Sequence, residues 1–205
     1  MATVLTADSA KPAALRRGAI ILARHGEPAL SRKVRLTAQG YREFWARYEV
    51  LGIVPGQTPP DRLRRLAAEC GTIVSSTRLR AIESTQALVG DRPFARHEVL
   101  IEAPLPPPDF PSWLRLSPRF WGFLSRVWWW FLNHHEGQET RAQAEARADR
   151  AADLLVELAA DGGDVVVLAH GFFNHLIGRS LRRRGWKLAE SEGYKYWSVR
   201  RFEPS

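Results

Sequence analysis

The sequence predicts an α/β fold in which a mostly parallel sheet is covered by helices on both faces. Three short apolar runs, at residues 19–23, 72–75 and 165–169, are rich in β-branched or aliphatic residues and have the length of buried strands. A helix-length segment follows each run. Alternation of nearly continuous apolar strands with helices is typical of parallel sheets that are buried on both faces.

The remaining elements follow from periodicity and from helix-start signals. Helices are predicted at residues 37–51, 78–89, 140–160 and 172–184, and a last strand at residues 196–202. The first helix starts at Thr37, and Thr140 marks the start of the long Ala-, Glu- and Arg-rich helix. A further helix at residues 118–132 would be apolar nearly all round, so that one face enters the core and the rest needs another cover.

Length and composition indicate one compact domain. The chain has 205 residues, of which 45% are hydrophobic and 25% charged, and we expect a single domain at residues 19–205 after a loose extension at residues 1–18. Cys70 is the single cysteine, which excludes an internal disulfide. The most apolar window, residues 120–132, is interrupted by Arg126 and is shorter than the roughly 20 residues of a membrane span. We therefore expect a cytoplasmic protein.

The charge is strongly basic, with 30 Lys and Arg against 22 Asp and Glu. An excess of this size suits nucleic acid, an anionic membrane surface or a phosphorylated small molecule. The sequence carries no recognition helix, RNA-binding sheet or zinc-finger signature, and the arginines at residues 182–184 fit a solvated face or a helix C-terminus. We therefore expect no nucleic-acid partner.

Polar residues collect where the predicted strands end, which is where open α/β sheets bind ligands. Arg24 and His25 follow the first strand, Arg80 follows the second closely, and His170 follows the third. Each of them alone would suit a structural role. Two histidines and two arginines at one sheet edge favour phosphate binding, because guanidinium groups offer forked donors and helix N-termini attract anions.

Three segments at these strand ends resemble the motifs of the histidine phosphatase superfamily, also called the phosphoglycerate mutase-like family. They are LARHGEPAL, SSTRLRAIESTQAL and VVVLAHGFFNHLIG, in the order of the family and within residues 20–184. The resemblance implies a three-layer α/β/α, phosphoglycerate mutase-like fold. It also implies that residues 103–136, an aromatic-rich insertion, form a cap over the pocket.

The resemblance implies phosphoryl transfer through a phosphohistidine, without metal or cofactor. His25 would attack phosphorus, while Arg24, Arg80 and His170 hold the phosphate oxygens. The proton donor of the family follows the third strand, where Glu102 lies in VLIEAPLPPP. The chain departs here from commoner members, which continue into a glycine-rich stretch rather than four prolines, and Glu98 is the alternative donor.

Several further residues have two interpretations each. Glu27 could orient Arg24 or line the pocket entrance, or be a solvated loop carboxylate. Asn174 lies one helical turn beyond His170 and could reach the phosphate, whereas His175 is expected to pack on the helix face. The only metal-like cluster comprises His134, His135, Glu136 and Glu139. Its spacing fits no compact zinc pattern, so we expect loop residues and no metal site; Glu139 also resembles a family position before the long helix.

The chain has eight tryptophans, five of them between Trp113 and Trp130. We expect about half of this aromatic block to pack in the core. The other half has three possible uses, in this order: a cap that shapes a slot for an apolar or ring-bearing substrate, a homodimer interface, or contact with an anionic membrane surface.

These observations together predict a metal-independent phosphatase that hydrolyses a phosphomonoester through phosphorylated His25, with Glu102 as proton donor. A mutase is the first alternative, although no long insertion for gripping a sugar-acid phosphate is present. A non-catalytic binding or membrane-surface module on the same fold is the second, and the intact Arg24, Arg80 and His170 weigh against it. The physiological substrate stays open.

Overall fold

The computed structural model describes residues 17–205, which form six strands and six helices around one sheet. The predicted N-terminal extension lies outside the described residues except for its last two. The strands are β1 (Ile20–Arg24), β2 (Thr72–Ser76), β3 (Ala95–His97), β4 (Val165–Ala169), β5 (Trp186–Ser191) and β6 (Val199–Pro204). The helices are α1 (Ala38–Val50), α2 (Asp61–Glu69), α3 (Leu79–Val89), α4 (Pro118–Leu132), α5 (Arg141–Leu158) and α6 (Gly171–Arg183).

The sheet has the order β3-β2-β4-β1-β6-β5 and confirms the predicted α/β class. Strands β1 to β4 pair in parallel, and β6 and β5 add an antiparallel edge. The register sets Arg24 beside Ala169 and Ser75 beside Leu168, so that β1, β2 and β4 end at the same level. The residues that follow these three strands therefore meet at one edge of the sheet.

Apolar clusters on both faces of the sheet explain why the central strands are apolar throughout. One cluster joins β1 and β4 to α5, α6 and Trp129 of α4. The other joins them to α2 and α3. A third, smaller cluster packs Tyr41, Phe44 and Tyr48 of α1 against Trp121 of α4. Through that contact, the insertion that carries α4 lies against α1.

Helix starts agree closely with the sequence signals. The Thr37 hydroxyl accepts a hydrogen bond from the Gly40 amide at the start of α1. Thr140 and Gln143 form a capping box at the start of α5, in which each side chain accepts from the other's backbone amide.

Three elements were not predicted, and one boundary was wrong. Helix α2 buries only Leu63 and Ala67, β3 has three residues, and β5 is largely exposed, so each carries little apolar signal. The last strand begins at Val199 rather than at residue 196. Trp197 has a φ of 61°, in the left-handed region that a strand does not contain, and it forms a turn instead.

The aromatic block divides between core and surface. Trp121 and Trp129 are fully buried, and their indole N–H groups donate to Leu36 O and Glu139 O at 2.7 and 3.1 Å. Trp113, Phe123 and Phe131 are, in contrast, among the most exposed large side chains. Across residues 17–205, no helix is both long enough and apolar enough to traverse a bilayer.

Candidate functional site

The carboxyl ends of β1, β2 and β4 bring two histidines and an arginine into a buried cluster. His25 follows β1 and His170 follows β4, and the centres of their rings lie 5.2 Å apart. Arg80 enters from the first turn of α3, after β2, and is completely buried. The structure thus brings together residues that lie up to 145 positions apart in the sequence.

His25 is held as a neutral imidazole with one ring nitrogen unprotonated. Its Nδ1–H donates to the Gly26 carbonyl at 2.7 Å, which leaves the lone pair on Nε2. Burial, followed by the positive charges of Arg80 and Arg24, holds the pKa of His25 well below its usual value. A neutral imidazole with an unprotonated nitrogen is a competent nucleophile. The hydroxyl of Tyr48, at the end of α1, lies 3.5 Å from Nε2.

Gly26 lets the backbone next to His25 pack closely against Trp197. A Cβ atom at this position would lie 2.5 Å from the Trp197 ring, so no larger residue fits without displacing the indole. The Gly26 amide also donates to the Ser84 hydroxyl of α3 at 2.8 Å. The backbone that carries His25 is therefore fixed from two sides.

Arg80 is anchored through its two terminal nitrogens. Nη1 donates to Tyr48 O and Nη2 to the Glu49 carboxylate, both at 2.9 Å. Its Nε is buried and has no hydrogen-bond partner among the described residues. The anchoring fixes the guanidinium while one of its N–H groups stays available.

Arg24 is held in a similar way. Its Nη1 donates to Tyr194 O at 2.5 Å, and its guanidinium lies 4.4 Å from the centre of the Tyr196 ring. Its Nε is also buried and has no hydrogen-bond partner in the described part of the chain. A Cβ on Gly171 would lie 3.3 Å from this Nε, so Arg24 lies directly against the first turn of α6.

His170 offers a third unpartnered nitrogen. The Ser76 hydroxyl lies 2.9 Å from its Nε2, whereas its buried Nδ1 has no partner within residues 17–205. Burial and the charge of Arg80 lower the pKa of His170 well below its usual value, so the ring is neutral. Buried polar groups are nearly always paired. Within residues 17–205, Arg24, Arg80 and His170 thus each leave a buried nitrogen unpaired near the unprotonated Nε2 of His25, an arrangement that favours an anion.

Glu102 lies at the N-terminus of α6. Its carboxylate accepts from the amides of Phe173 and Phe172 at 2.8 and 3.4 Å. The loop that carries it is held by Arg147, which donates to Val99 O at 3.0 Å and Ile101 O at 2.7 Å. The Glu102 carboxylate is therefore fixed against the first turn of α6, two to three residues after His170.

Arg147 itself is fixed by an ion pair with Glu139, whose carboxylate it contacts at 2.7 and 2.8 Å. Both side chains are largely buried. Glu139 therefore supports the loop of Glu102 from a distance, through the start of the long helix α5.

The buried cluster adjoins a cavity of about 510 Å³ that we call the arginine-lined cavity. Arg24, Arg32, Arg119 and Arg126 line it, with Glu102 as the only carboxylate among its lining residues. None of these four arginines takes part in the salt bridges found within residues 17–205. Such an excess of positive charge favours an anionic ligand.

The other predicted residues lie outside this centre. Glu27 is exposed, and its amide donates to Gln57 Oε1 at 2.7 Å. Asn174 is buried behind the cluster and donates to Ala23 O at 3.1 Å. Glu98 lines a neighbouring cavity of about 830 Å³, which shares Trp45 and Glu102 with the arginine-lined cavity. His175 stacks on Phe172 of the same helix and also forms part of the wall of the arginine-lined cavity.

Sequence reasoning missed the residues that tertiary packing alone brings to the site. Arg32 and Tyr48 come from the region of α1, and Arg119 and Arg126 from α4. Tyr48, Arg119 and Arg126 lie in segments predicted to be helical, but no local motif marks any of the four side chains as part of the pocket. Ser76, which contacts His170, could have been found, because it belongs to the Ser-Ser pair at the end of β2.

The metal-like cluster is used in ion pairs. Glu136 pairs with Arg42, and Glu139 pairs with Arg147. His134 Nε2 lies 3.1 Å from Pro107 O. In the part of the chain that the structure describes, no three potential metal-ligating residues of the His, Cys, Asp and Glu types come together.

Comparison with protein families gives one match. The model described as "Histidine phosphatase superfamily (branch 1)" matches residues 20–205. No curated protein matches the chain.

Solved structures share the fold at low sequence identity. A phosphoglycerate mutase from Bacillus anthracis is 16% identical, with a TM-score of 0.58 over 93% of this chain and 90% of that one. A phosphoserine phosphatase mutant from Entamoeba histolytica, in complex with phosphoserine, is 15% identical, with a TM-score of 0.54 over 90% and 89%. A mycobacterial glucosyl-3-phosphoglycerate phosphatase is 19% identical, with a TM-score of 0.51 over 82% and 81%.

Proposed function

The chain belongs to branch 1 of the histidine phosphatase superfamily, and from this premise we propose that it is a metal-independent phosphatase acting on a phosphomonoester. The observation that carries the proposal is the arrangement around His25. A neutral imidazole with an unprotonated Nε2 lies beside buried nitrogens of Arg24, Arg80 and His170 that have no hydrogen-bond partner among residues 17–205. A nucleophile surrounded by fixed donors is what phosphoryl transfer requires.

In the first step, the phosphate binds with its oxygens toward the donors on Arg24, Arg80 and His170. His25 Nε2 attacks phosphorus in line, the bond from phosphorus to the ester oxygen breaks, and a phosphohistidine forms. Glu102 in its protonated form gives its proton to the departing oxygen. The donors stabilise the charge on the transferring group without having to reorganise, because each is anchored by other contacts.

In the second step, water attacks the phosphohistidine. The Glu102 carboxylate accepts a proton from this water, inorganic phosphate leaves, and His25 returns to the neutral state. The Tyr48 hydroxyl borders the same space, at 3.5 Å from Nε2, and is placed to donate to a phosphoryl oxygen.

The proposal is tested with a generic aryl phosphate in the presence of a chelator. We expect the wild type to release inorganic phosphate and to yield a phosphoenzyme, trapped by rapid quenching, with the acid lability of phosphohistidine. His25→Ala should abolish both. His97→Ala, a histidine on the edge strand β3 away from the cavity, should retain both.

Two outcomes would contradict the proposal. Turnover that survives in His25→Ala would show that His25 is not the nucleophile, and turnover that is lost when the chelator is added would indicate a metal-dependent enzyme. A mutase would return the phosphoryl group to an acceptor hydroxyl, so one phosphate released per alcohol formed distinguishes hydrolysis from transfer.

A further inference from the structure

A second depression, of about 300 Å³, lies on the outer side of α4. We call it the apolar groove. Its walls are aromatic and aliphatic, and the arginine Arg126 and the histidine His175 stand among them. The apolar wall residues are Phe123, Val127, Trp130 and Phe131 of α4 and Phe172 of α6. Along α4 they follow the i, i+4, i+7, i+8 spacing of a single helix face.

The apolar groove adjoins the arginine-lined cavity. The two share Arg126, Phe172 and His175 as wall residues. Phe172 and His175 are stacked, with ring centres 6.4 Å apart and planes within 9°, and the Arg126 guanidinium lies 5.4 Å from the centre of the Phe172 ring. A molecule that extends from the phosphate site past these three side chains therefore enters the apolar groove.

The aromatic rings of the groove are unusually open to water. Phe123 is 57% exposed and Phe131 is 76% exposed. Single exposed apolar residues are common on protein surfaces, but contiguous apolar patches beside a cavity are typical of ligand-binding sites. An apolar ligand that covers these rings would gain the free energy of removing them from water.

We propose that the apolar groove binds the non-phosphorylated end of the substrate, and that this end is a hydrocarbon chain. The proposal rests on the proposed function, which puts the phosphate end of the substrate beside His25. The substrate class is then an amphipathic phosphomonoester, with its phosphate among the arginines and its chain on the rings of α4. The cationic cavity and the apolar groove meet at Arg126, which matches the point where such a molecule changes from charged to apolar.

The test is a series of n-alkyl phosphates from ethyl to octyl, each used below its critical micelle concentration. Their leaving alcohols have nearly the same basicity, so differences in kcat/KM report binding of the chain. We expect kcat/KM to rise about twofold per methylene once the chain reaches the groove. This is half of the roughly fourfold gain for a fully buried methylene, because the groove is open to solvent on one side.

The matched variants separate the groove from general hydrophobicity. Phe123→Ser combined with Phe131→Ser should remove the rise with chain length and leave ethyl phosphate turnover unchanged. Trp113→Ser removes an equally exposed aromatic, at 77% exposure, that lies outside the groove, and should keep the rise. A flat series in the wild type, or a rise that persists in the double variant, would overturn the proposal.

Calorimetry with n-alkyl phosphonates, which are not hydrolysed, distinguishes this proposal from the proposed function. Affinity that rises with chain length, without any turnover of alkyl phosphates, would support the groove and contradict the phosphatase. Turnover of alkyl phosphates with an affinity that does not depend on chain length would support the phosphatase and contradict the groove. A wild type that light scattering shows to be a dimer, and that the Phe123→Ser and Phe131→Ser changes convert to a monomer, would assign the groove to a second copy and overturn the proposal.

Discussion

Replacing Glu102 by Gln removes a transferable proton while keeping most of the local structure. The carboxylate accepts from the Phe173 amide at 2.8 Å, and the carbonyl oxygen of a glutamine can accept the same hydrogen bond. The variant loses a negative charge at the N-terminus of α6, which lowers the free energy of unfolding by about 0.3–1 kcal/mol. We therefore expect Glu102→Gln to fold normally, with urea unfolding close to that of the wild type.

The catalytic effect should depend on the leaving group. General acid catalysis contributes about 10²- to 10⁴-fold to rate, and an alkoxide needs the proton whereas 4-nitrophenolate leaves without it. We expect kcat/KM for an alkyl phosphate to fall about 1000-fold and that for 4-nitrophenyl phosphate to fall less than about tenfold. In the proposed mechanism Glu102 also accepts a proton from water in the second step, so the variant should show a burst of nitrophenolate followed by slow turnover.

The assay compares kcat/KM on both substrates and the pre-steady-state burst. Glu98→Gln is the matched control, since Glu98 lies four residues earlier and lines the neighbouring cavity but not the arginine-lined cavity, whereas Glu102 lines both. It should affect neither substrate. Equal losses of Glu102→Gln on both substrates would refute the role of Glu102 as acid, and a selective loss in Glu98→Gln would transfer that role to Glu98.

Three further predictions concern the buried cluster. His25 and His170 are neutral in the folded protein and titrate near pH 6.5 when unfolded, so the unfolded state binds more protons below pH 6.5. The free energy of unfolding should therefore decrease as the pH falls below 6.5, by up to about 1.4 kcal/mol per pH unit for each histidine. Urea unfolding that does not change between pH 6.5 and 5 would show that the two histidines are not buried in the neutral form. Arg80→Lys should lower kcat/KM about 100- to 1000-fold. A lysine ammonium cannot keep the contacts to Tyr48 O and the Glu49 carboxylate and also present the N–H group that Arg80 leaves unpaired within residues 17–205. A loss of less than tenfold would show that Arg80 does not bind the phosphate. Gly26→Ala should cost about 1–3 kcal/mol of stability by overpacking against Trp197, and unchanged chemical denaturation would show that the indole moves freely.

The sequence predicts the central strands of the sheet better than the edge strands, because strands buried on both faces are apolar throughout and strands buried on one face are not. Val165–Ala169 is covered on both faces, so all five of its residues are apolar. Strand β5 packs on one side only and alternates toward solvent, and Ala95–His97 is too short to show a period. Trp197 delays the start of the last strand because its backbone is in the left-handed region, and an apolar sequence pattern does not predict that conformation.

The candidate site is predictable to the extent that it is built at strand ends. Arg24, His25 and His170 directly follow buried strands, so parallel pairing is enough to bring them together. Tyr48 reaches His25 only because α1 packs against the cluster and Arg80 holds its C-terminal end. Contacts of that kind depend on how helices dock, and the local sequence carries no record of it.

Helix α4 shows why the aromatic block has no single role. Successive residues of an α-helix are rotated by roughly 100°, so positions a few residues apart face different surroundings. Trp121 and Trp129 fall on the side that packs into the core, while Arg119 and Arg126, seven residues apart, fall on the side that lines the arginine-lined cavity. The phenylalanines of the apolar groove occupy the next sector of the helix. The buried tryptophans therefore fix the rotation of α4, and that rotation sets the cationic and the apolar walls side by side.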